Sequence, residues 1–279
     1  MVKLYNEVSF LISKLVTRSY STSFSKAVSF LNKEKRNAIY SIYGFVRLAD
    51  EIVDTFHDYD KKKLLNDFEH DYYKAFQEGL SINPVLHAFQ HTVKKYNIPD
   101  KLIQAFLNSM KIDLIPNGSY SKSEIGEYIH GSAEVVGLMC LYVFVMGDRA
   151  LFEELKYPAM KLGSAFQKVN FLRDLRIDIY ELNRNYFPEL DIGSFNQATK
   201  ELIISDIEAD FSASLPGIKK LPNDVKIPVL IAYYYYLSLL NIIRRTPVSE
   251  LVKTRISVPG LKKFLLLNKA YLAVKFRMI

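Results

Sequence analysis

Apolar residues recur at the three-to-four-residue spacing of an amphipathic helix along almost the whole chain. This spacing predicts helices over residues 3–17, 34–58, 61–78, 84–96, 99–114, 122–147, 151–182, 198–213, 225–245 and 258–275. Ser121 and Glu124 have the Ser-x-x-Glu spacing of a capping box at the start of the sixth helix. Loops are predicted at 115–119 and 215–223, and the seventh helix should end before Pro188, because proline disfavours helical backbone in the residue before it.

Glycine and proline are scarce, with 11 and 10 in 279 residues, and this favours long helices over many short strands. Hydrophobic residues make up 49% of the chain, so a protein of this length can bury a sizeable core. No segment is of low complexity, and no linker is long enough to separate two domains. The sequence therefore predicts one all-α domain over residues 1–279.

The formal charge of +7 and the isoelectric point near 9.1 suggest an anionic partner, although a plain solvated basic surface gives the same balance. That partner could be a nucleic acid, an anionic lipid surface or a phosphorylated substrate. No run of Lys and Arg with interleaved aromatic residues occurs, so we expect no nucleic-acid binding. The sequence does not indicate an oligomeric state.

The single cysteine, Cys140, excludes a disulfide within the chain, which fits a cytoplasmic location. It lies in an apolar run, and we expect its thiol to be buried and unreactive. The first 16 residues include Lys3, Glu7 and Lys14 and lack the continuous apolar core of a secretory signal. The longest uncharged stretch, 227–243, has 17 residues, at the short edge of a membrane span, and we expect a core helix there.

Two aspartates four residues apart, Asp50 and Asp54, lie on one face of the second predicted helix. At this spacing they are about 6 Å apart along the axis, and their carboxylates repel each other unless a cation lies beside them. Mg²⁺ would suit the pair, since it is typically held by one or two carboxylates together with phosphate oxygens and waters. Taken alone, the pair is more typical of a solvated helix face.

The same spacing recurs at Asp174 and Asp178 in the seventh predicted helix. Asn170 and Gln167 extend this polar stripe towards the start of the helix, in a segment that is otherwise apolar. Buried carboxylates without partners are costly, so the stripe needs a ligand, and a metal with a diphosphate would satisfy it. The second pair therefore turns both pairs into a candidate metal site.

Arginines accompany both pairs: Arg47, Arg173, Arg176, Arg184 and Arg255. A guanidinium binds phosphate oxygens bidentately and stays charged. Salt bridges to the nearby aspartates are the plain alternative, and some of these arginines should form them. Acidic and arginine residues in the same short segments nevertheless suit a site that holds both Mg²⁺ and diphosphate.

Other motifs are weaker or absent. His87 and His91 have four-residue spacing but no third ligand nearby, so an ordinary surface helix is favoured over a zinc site. No phosphate loop, dinucleotide-binding glycine motif or nucleophile elbow occurs. Nothing in the sequence indicates a nicotinamide-binding fold.

Four blocks of sequence cover most of the chain: YSTSFSKA (20–27) followed by RNAIYSIYGFVRLADEIVD (36–54), YIHGSAEVVGLM (128–139), LGSAFQKVNFLRDLRIDIYELNRNYFP (162–188), and the tyrosine-rich helix with RISVP (255–259). In this order they resemble the phytoene/squalene synthases, the head-to-head prenyl synthases of the trans-isoprenoid synthase fold. The resemblance runs from about Tyr20 to Leu266. It implies an all-α isoprenoid synthase fold in which helices surround a central active-site cavity.

The resemblance also implies roles for individual residues. The residues at metal-ligand positions, for Mg²⁺ or Mn²⁺, are Asp50, Asp54, Asn170, Asp174 and Asp178. The aspartates, Tyr128 and Arg173 match catalytic positions. The diphosphates and the wall of the site are assigned to Tyr20, Ser21, Ser23, Arg47, Gln167, Asn170, Arg184, Tyr236 and Arg255. Two residues depart from the pattern: Glu51 replaces the usual Asp, and Glu134 replaces a usual Gly that allows close helix approach.

The implied reaction is the Mg²⁺-dependent head-to-head condensation of two geranylgeranyl diphosphates, through a cyclopropylcarbinyl diphosphate, to phytoene in carotenoid biosynthesis. One alternative is a dehydrosqualene or squalene synthase acting on two farnesyl diphosphates. Another is an inactive relative that serves as a binding protein, although the aspartates whose loss would mark it are present. The chain ends without the C-terminal membrane anchor that many squalene synthases have, which favours phytoene-type chemistry, and for that reaction no NADPH is expected. The small Val28 suggests a roomy tunnel. The apolar product implies peripheral contact with the inner face of a membrane.

Overall fold

The computed structural model describes residues 2–115, 120–182, 184–187 and 195–276, and within these ranges it is helical and contains no strand. The helices are α1 (Val2–Tyr20), α2 (Thr22–Val28), α3 (Lys33–Asp54), α4 (Lys61–Glu78), α5 (Pro84–Tyr96), α6 (Asp100–Ile112), α7 (Lys122–Ile129), α8 (Val135–Val145), α9 (Arg149–Tyr180), α10 (Gln197–Lys220), α11 (Asn223–Arg245), α12 (Val248–Leu251) and α13 (Gly260–Lys275). The all-α prediction is confirmed. Pro188 and most of the loop predicted at 115–119 lie outside the described residues.

The loop predicted at 215–223 is wrong, because α10 continues through Pro216 to Lys220. Tight packing against α9 accounts for this. A Cβ placed on Gly217 would lie only 2.3 Å from Cβ of Pro158, so the two helices meet where neither carries a long side chain. Helices α2 and α12 were also missed, since seven and four residues are too few to show an apolar period.

A π-helical turn at His130–Glu134 interrupts the helix predicted over 122–147. The capping box predicted at Ser121 and Glu124 is confirmed at the start of α7. Helix α9 approaches the π turn closely at Gly163, where a Cβ would lie 2.7 Å from the backbone oxygen of Ala133. Glu134 accepts a hydrogen bond from His130 Nδ1 at 2.9 Å. A glycine on the facing helix therefore permits close approach even though residue 134 is Glu.

Helix α1 buries a face of small hydroxyl residues against α3 and α5. Ser9, Ser13 and Thr17 are fully buried, and each donates a hydrogen bond to the carbonyl four residues earlier. The opposite face exposes a stripe of apolar residues: Leu4, Val8, Leu11 and Leu15. Periodicity predicts this helix but not the face that it buries.

The prediction that His87 and His91 lie on a surface helix is wrong for His87. Its ring is fully buried, with Nε2 2.7 Å from Oδ1 of Asn6 on α1. Burial, followed by the neighbouring His91, lowers the pKa of His87. The residue therefore links α1 to α5 as a neutral imidazole.

Two stretches, Lys122–Val145 and Asn223–Arg245, are long and apolar enough to cross a membrane by length and composition. About half of each apolar window, 50% and 44%, is buried within the bundle. Both stretches also line the central cavity, through residues such as Leu141 and Ile231. Core packing and the cavity wall are therefore sufficient reasons for their composition.

Candidate active site

A cavity of about 1150 Å³ lies among helices α2, α3, α8, α9, α11 and α13. Every residue to which the family resemblance assigns a role lines this cavity: Tyr20, Ser21, Ser23, Arg47, Asp50, Asp54, Tyr128, Gln167, Asn170, Arg173, Asp174, Asp178, Arg184, Tyr236 and Arg255. Arg176, also suggested by the sequence, does not line it and instead pairs with Glu181 at 3.1 Å. The structure thus brings together residues that are up to 235 positions apart in the chain. Their individual roles stay predictions.

The first aspartate pair lies on the last turns of α3. Burial, followed by the negative charge of Asp54, raises the pKa of Asp50 to about 7, although Arg47 opposes the shift. Asp54 accepts a hydrogen bond from Nη1 of Arg184 at 2.8 Å. Asp54 is therefore held by an arginine, whereas Asp50 lies where a negative charge is unfavourable.

The second pair lies near the end of α9 and has the same asymmetry. Asp174 accepts hydrogen bonds from Nε of Arg173 at 3.0 Å and from Nε of Arg255 at 2.8 Å. Burial, followed by the charge of Asp174, raises the pKa of Asp178 to about 8. Asp54 also contributes to this rise, and both pairs line the same cavity.

A fifth acidic residue, Asp113, also lines the cavity and was not predicted from the sequence. It follows α6, and Tyr128 donates to its Oδ2 at 2.8 Å while Tyr186 donates to its Oδ1 at 3.2 Å. Nη2 of Arg184 donates to its backbone oxygen at 2.9 Å. Burial raises the pKa of Asp113 to about 6, against the attraction of Arg184. This residue therefore holds both the predicted catalytic tyrosine and the arginine that contacts Asp54.

The polar stripe of α9 continues into a chain of side-chain hydrogen bonds. Tyr236 of α11 donates to Oδ1 of Asn170 at 3.3 Å. Asn170 donates to Gln167 at 3.4 Å, and Gln167 donates to Oγ of Ser132 in the π turn at 3.5 Å. These contacts orient the amide oxygens along one wall of the cavity.

The unpredicted helix α2 positions Ser21 and Ser23, next to Tyr20 at the end of α1 and Arg47 on α3. Ser21 is its N-cap and accepts a hydrogen bond from the backbone of Phe24 at 3.4 Å. Arg47 stacks its guanidinium 4.3 Å from the centre of the Tyr20 ring and forms an ion pair with Glu51. Glu51, the departure from the family pattern, therefore acts as a partner for an arginine.

The rest of the cavity wall is mostly apolar. Along α9 the lining extends from Asp174 to Leu155, about 28 Å at the helical rise of roughly 1.5 Å per residue. Aromatic rings lie beside the polar end, with Phe166 stacked 4.1 Å from Tyr236 and Phe171 stacked 4.1 Å from Tyr186. The cavity thus has a charged end and a long apolar wall.

The oxygen ligands at the charged end suit Mg²⁺. Asp50 and Asp178 in particular are destabilised as anions by burial and by neighbouring carboxylates, which a cation would relieve. In the part of the chain that the structure describes, no three His, Cys, Asp or Glu side chains are grouped as a metal site by themselves. A metal here would therefore complete its coordination with phosphate oxygens and water.

The model of the squalene/phytoene synthase family matches residues 17–262 of this chain. A phytoene synthase from Arthrospira platensis is 26% identical over 293 aligned residues, covering 96% of this chain and 94% of that protein. A 4,4′-diapophytoene synthase from Staphylococcus haemolyticus is 26% identical over 199 residues, covering 70% and 66%. The crystal structure of a dehydrosqualene synthase in complex with ligand matches with a TM-score of 0.83 at 22% identity, covering 97% and 98%. The predicted resemblance and isoprenoid synthase fold are confirmed.

Proposed function

The chain belongs to the squalene/phytoene synthase family of prenyltransferases, and we propose that it is a phytoene synthase that joins two geranylgeranyl diphosphates head to head. The observation that carries this proposal is one cavity lined by both aspartate pairs and by a long, mostly apolar wall. A diphosphate fits the charged end, and an isoprenoid chain fits the wall. Both aspartate pairs line the cavity, which favours an active enzyme over an inactive binding protein.

The carboxylates of Asp50, Asp54, Asp174 and Asp178, with the amide oxygen of Asn170, would hold Mg²⁺. When bound, Mg²⁺ supplies Lewis-acid stabilisation to a departing diphosphate. Arg47, Arg173, Arg184 and Arg255 would bind the phosphate oxygens, since all four line the cavity and the last three already point their guanidinium groups at Asp54 or Asp174.

The protein's other contribution is a dry, polarised surface for a carbocation. Tyr128 stays protonated, because burial raises its pKa well above the usual value. Its hydroxyl donates its one proton to Asp113, so the carboxylate fixes the position of the ring and the hydroxyl does not act as a free base. The apolar wall excludes water that would capture a cation, and the faces of aromatic rings such as Phe166 offer electrostatic stabilisation.

The length of the wall supports the longer substrate. Fully extended, the 16-carbon main chain of a geranylgeranyl group is about 20 Å long and the 12-carbon main chain of farnesyl about 15 Å, from carbon–carbon bonds of about 1.5 Å. Measured from Asp174, the α9 lining of about 28 Å exceeds both lengths, and its last 16 Å or so, from Phe166 to Leu155, carries no polar side chain. The small Val28 also lies on the cavity wall. Farnesyl diphosphate remains the alternative, and similarity to the 4,4′-diapophytoene synthase favours it.

Incubating the purified protein with Mg²⁺ and each diphosphate, with and without NADPH, tests the proposal. We expect phytoene from geranylgeranyl diphosphate, independent of NADPH, and similar dependence on added Mn²⁺ or Mg²⁺. A faster reaction with farnesyl diphosphate would replace the proposal with its alternative, and Val28→Phe should shift preference towards the shorter chain.

Combining Asp50→Ala with Asp174→Ala should abolish product while circular dichroism stays unchanged. Product from this double variant would refute the metal site.

A further inference from the structure

Helix α13 exposes a stripe of apolar residues that does not take part in its packing against the bundle. Ala270 and Ala273 face the bundle, whereas the side chains of Leu261, Leu265 and Leu272 are 75%, 57% and 45% exposed. Phe276, just beyond the helix, extends the stripe and is also exposed. On a helix these residues share one face, since they are spaced by multiples of three to four residues.

Lysines border this stripe on both sides. Lys262 and Lys269 lie on one side and Lys275 on the other, and all three are exposed. Helix α13 has four lysines and no acidic residue. Nζ of Lys269 lies 4.5 Å from the centre of the Tyr234 ring on α11. We define the outer face of α13 as Leu261, Leu265, Leu272 and Phe276 with these three bordering lysines.

The same helix forms part of the cavity wall. Leu266 and Leu267 line the cavity from its inner side, and Phe264 both lines the cavity and is 58% exposed. A side chain with both properties lies at the rim, where the cavity meets the molecular surface. The outer face of α13 is therefore adjacent to an opening of the apolar cavity.

We propose that the outer face of α13 docks on an anionic lipid bilayer. Leucine and phenylalanine on one face with lysines at its borders is the arrangement of a helix that lies in a membrane interface, where lysines contact anionic headgroups. A second copy of the chain fits poorly, because a symmetric pairing of this face would place lysines against lysines. Docking would set the rim at Phe264 against the lipid. If the proposed function is correct, an apolar product can leave past α13 into the bilayer without crossing water.

Vesicle co-sedimentation of the full-length protein tests the docking directly, with phosphatidylcholine vesicles and with vesicles containing equal phosphatidylglycerol. We expect binding to the anionic vesicles that weakens with salt. The triple variant Leu261→Ser, Leu265→Ser and Leu272→Ser should lower the partition coefficient on the order of tenfold. Lys262→Gln with Lys275→Gln should lower it by about fivefold per lysine at low salt.

Matched controls come from surfaces elsewhere on the chain. Leu4→Ser, Leu11→Ser and Leu15→Ser on α1 remove leucines of similar exposure, 67%, 59% and 64%, and should leave binding unchanged. Lys62→Gln with Lys101→Gln removes the same charge from exposed sites on α4 and α6 and should also have no effect. Loss of binding in either control, or wild-type binding in the α13 variants, would overturn the proposal. So would a dimer in solution that the α13 leucine variant dissociates without any vesicle binding.

Steady-state kinetics with vesicles test the proposed exit of the product past α13 into the bilayer. Anionic vesicles should raise multiple-turnover rates of the wild type and of the α1 variant but not of the α13 leucine variant, while single-turnover rates stay equal. Equal stimulation of all three would refute the route. Absence of product from every diphosphate would refute the proposed function and leave the vesicle-binding result intact.

Discussion

Replacing Asp50 with asparagine should stabilise the ligand-free protein while it removes activity. A pKa raised from 3.8 to about 7 means that ionisation of this carboxyl opposes folding by about 4 kcal/mol. Asparagine has nearly the same shape and no charge, but it also gives up the attraction of Arg47. We therefore expect Asp50→Asn to raise the free energy of unfolding by about 2–4 kcal/mol at pH 8, or Tm by about 5–10 °C.

The sign and the pH window follow from proton binding. Below the unfolded pKa of 3.8 the carboxyl is protonated in both states and the variant should gain nothing. Between 3.8 and about 7 the folded wild type retains a proton that the unfolded chain loses, so wild-type stability falls as pH rises. The gain of the variant should therefore grow over this window and then level off.

Urea unfolding in EDTA at pH 4.5, 6 and 8 measures this gain, with Asp67→Asn on the exposed face of α4 as the control. Product formation from geranylgeranyl diphosphate with Mg²⁺ measures the functional loss. A gain that is the same at every pH, or a loss of stability at pH 8, would refute burial and charge repulsion as the cause. Equal gains in the Asp67 control would assign the effect to general surface charge.

Three further changes test other parts of the structure. Asp113→Asn should lower kcat on the order of a hundredfold, because Tyr128 and Arg184 lose the carboxylate that positions them, and an unchanged kcat would contradict this role. Gly163→Ala should lower the stability in urea by about 1–3 kcal/mol, since its Cβ would meet a backbone oxygen at 2.7 Å, whereas Gly126→Ala, with nothing within 4 Å, should not. Cys140 is partly buried and lines the cavity, and its surroundings raise the pKa of its thiol to about 12, so iodoacetamide at pH 8 should modify it far more slowly before unfolding than after, as mass spectrometry can show.

The site residues that spacing alone predicts lie on single helices, whereas others such as Arg184 and Arg255 were predicted only from the family resemblance. Asp50 with Asp54, and Gln167 through Asp178, share helix faces, so the local sequence contains their relative positions. Asp113, which follows α6, has no other site residue on the same face of that helix. Its contacts with Tyr128, Tyr186 and Arg184 join α6, α7 and the segment after α9, and these meet only in the folded chain.

The fold shows the same division between local and tertiary information. Long amphipathic helices such as α4 and α5 begin and end at the predicted residues, 61–78 and 84–96. Pro216 inside α10 and the leucine stripe left exposed on α1 could not be predicted, because packing against a neighbouring helix decides both. Periodicity identifies a helix, whereas close approach at residues such as Gly217 decides how it packs.

The ion pairs at the charged end of the cavity determine how binding of a metal affects binding of a diphosphate. Asp54 is bonded to Arg184, and Asp174 to Arg173 and Arg255, so the acids suited to a metal are bonded to the arginines suited to a diphosphate. A metal alone must break these pairs and leave the arginines without an anion, and a diphosphate alone must leave the aspartates without a cation. Together they give every acid a cation and every arginine an anion. Binding should consequently be positively cooperative, and by linkage each ligand raises the affinity for the other by the same factor.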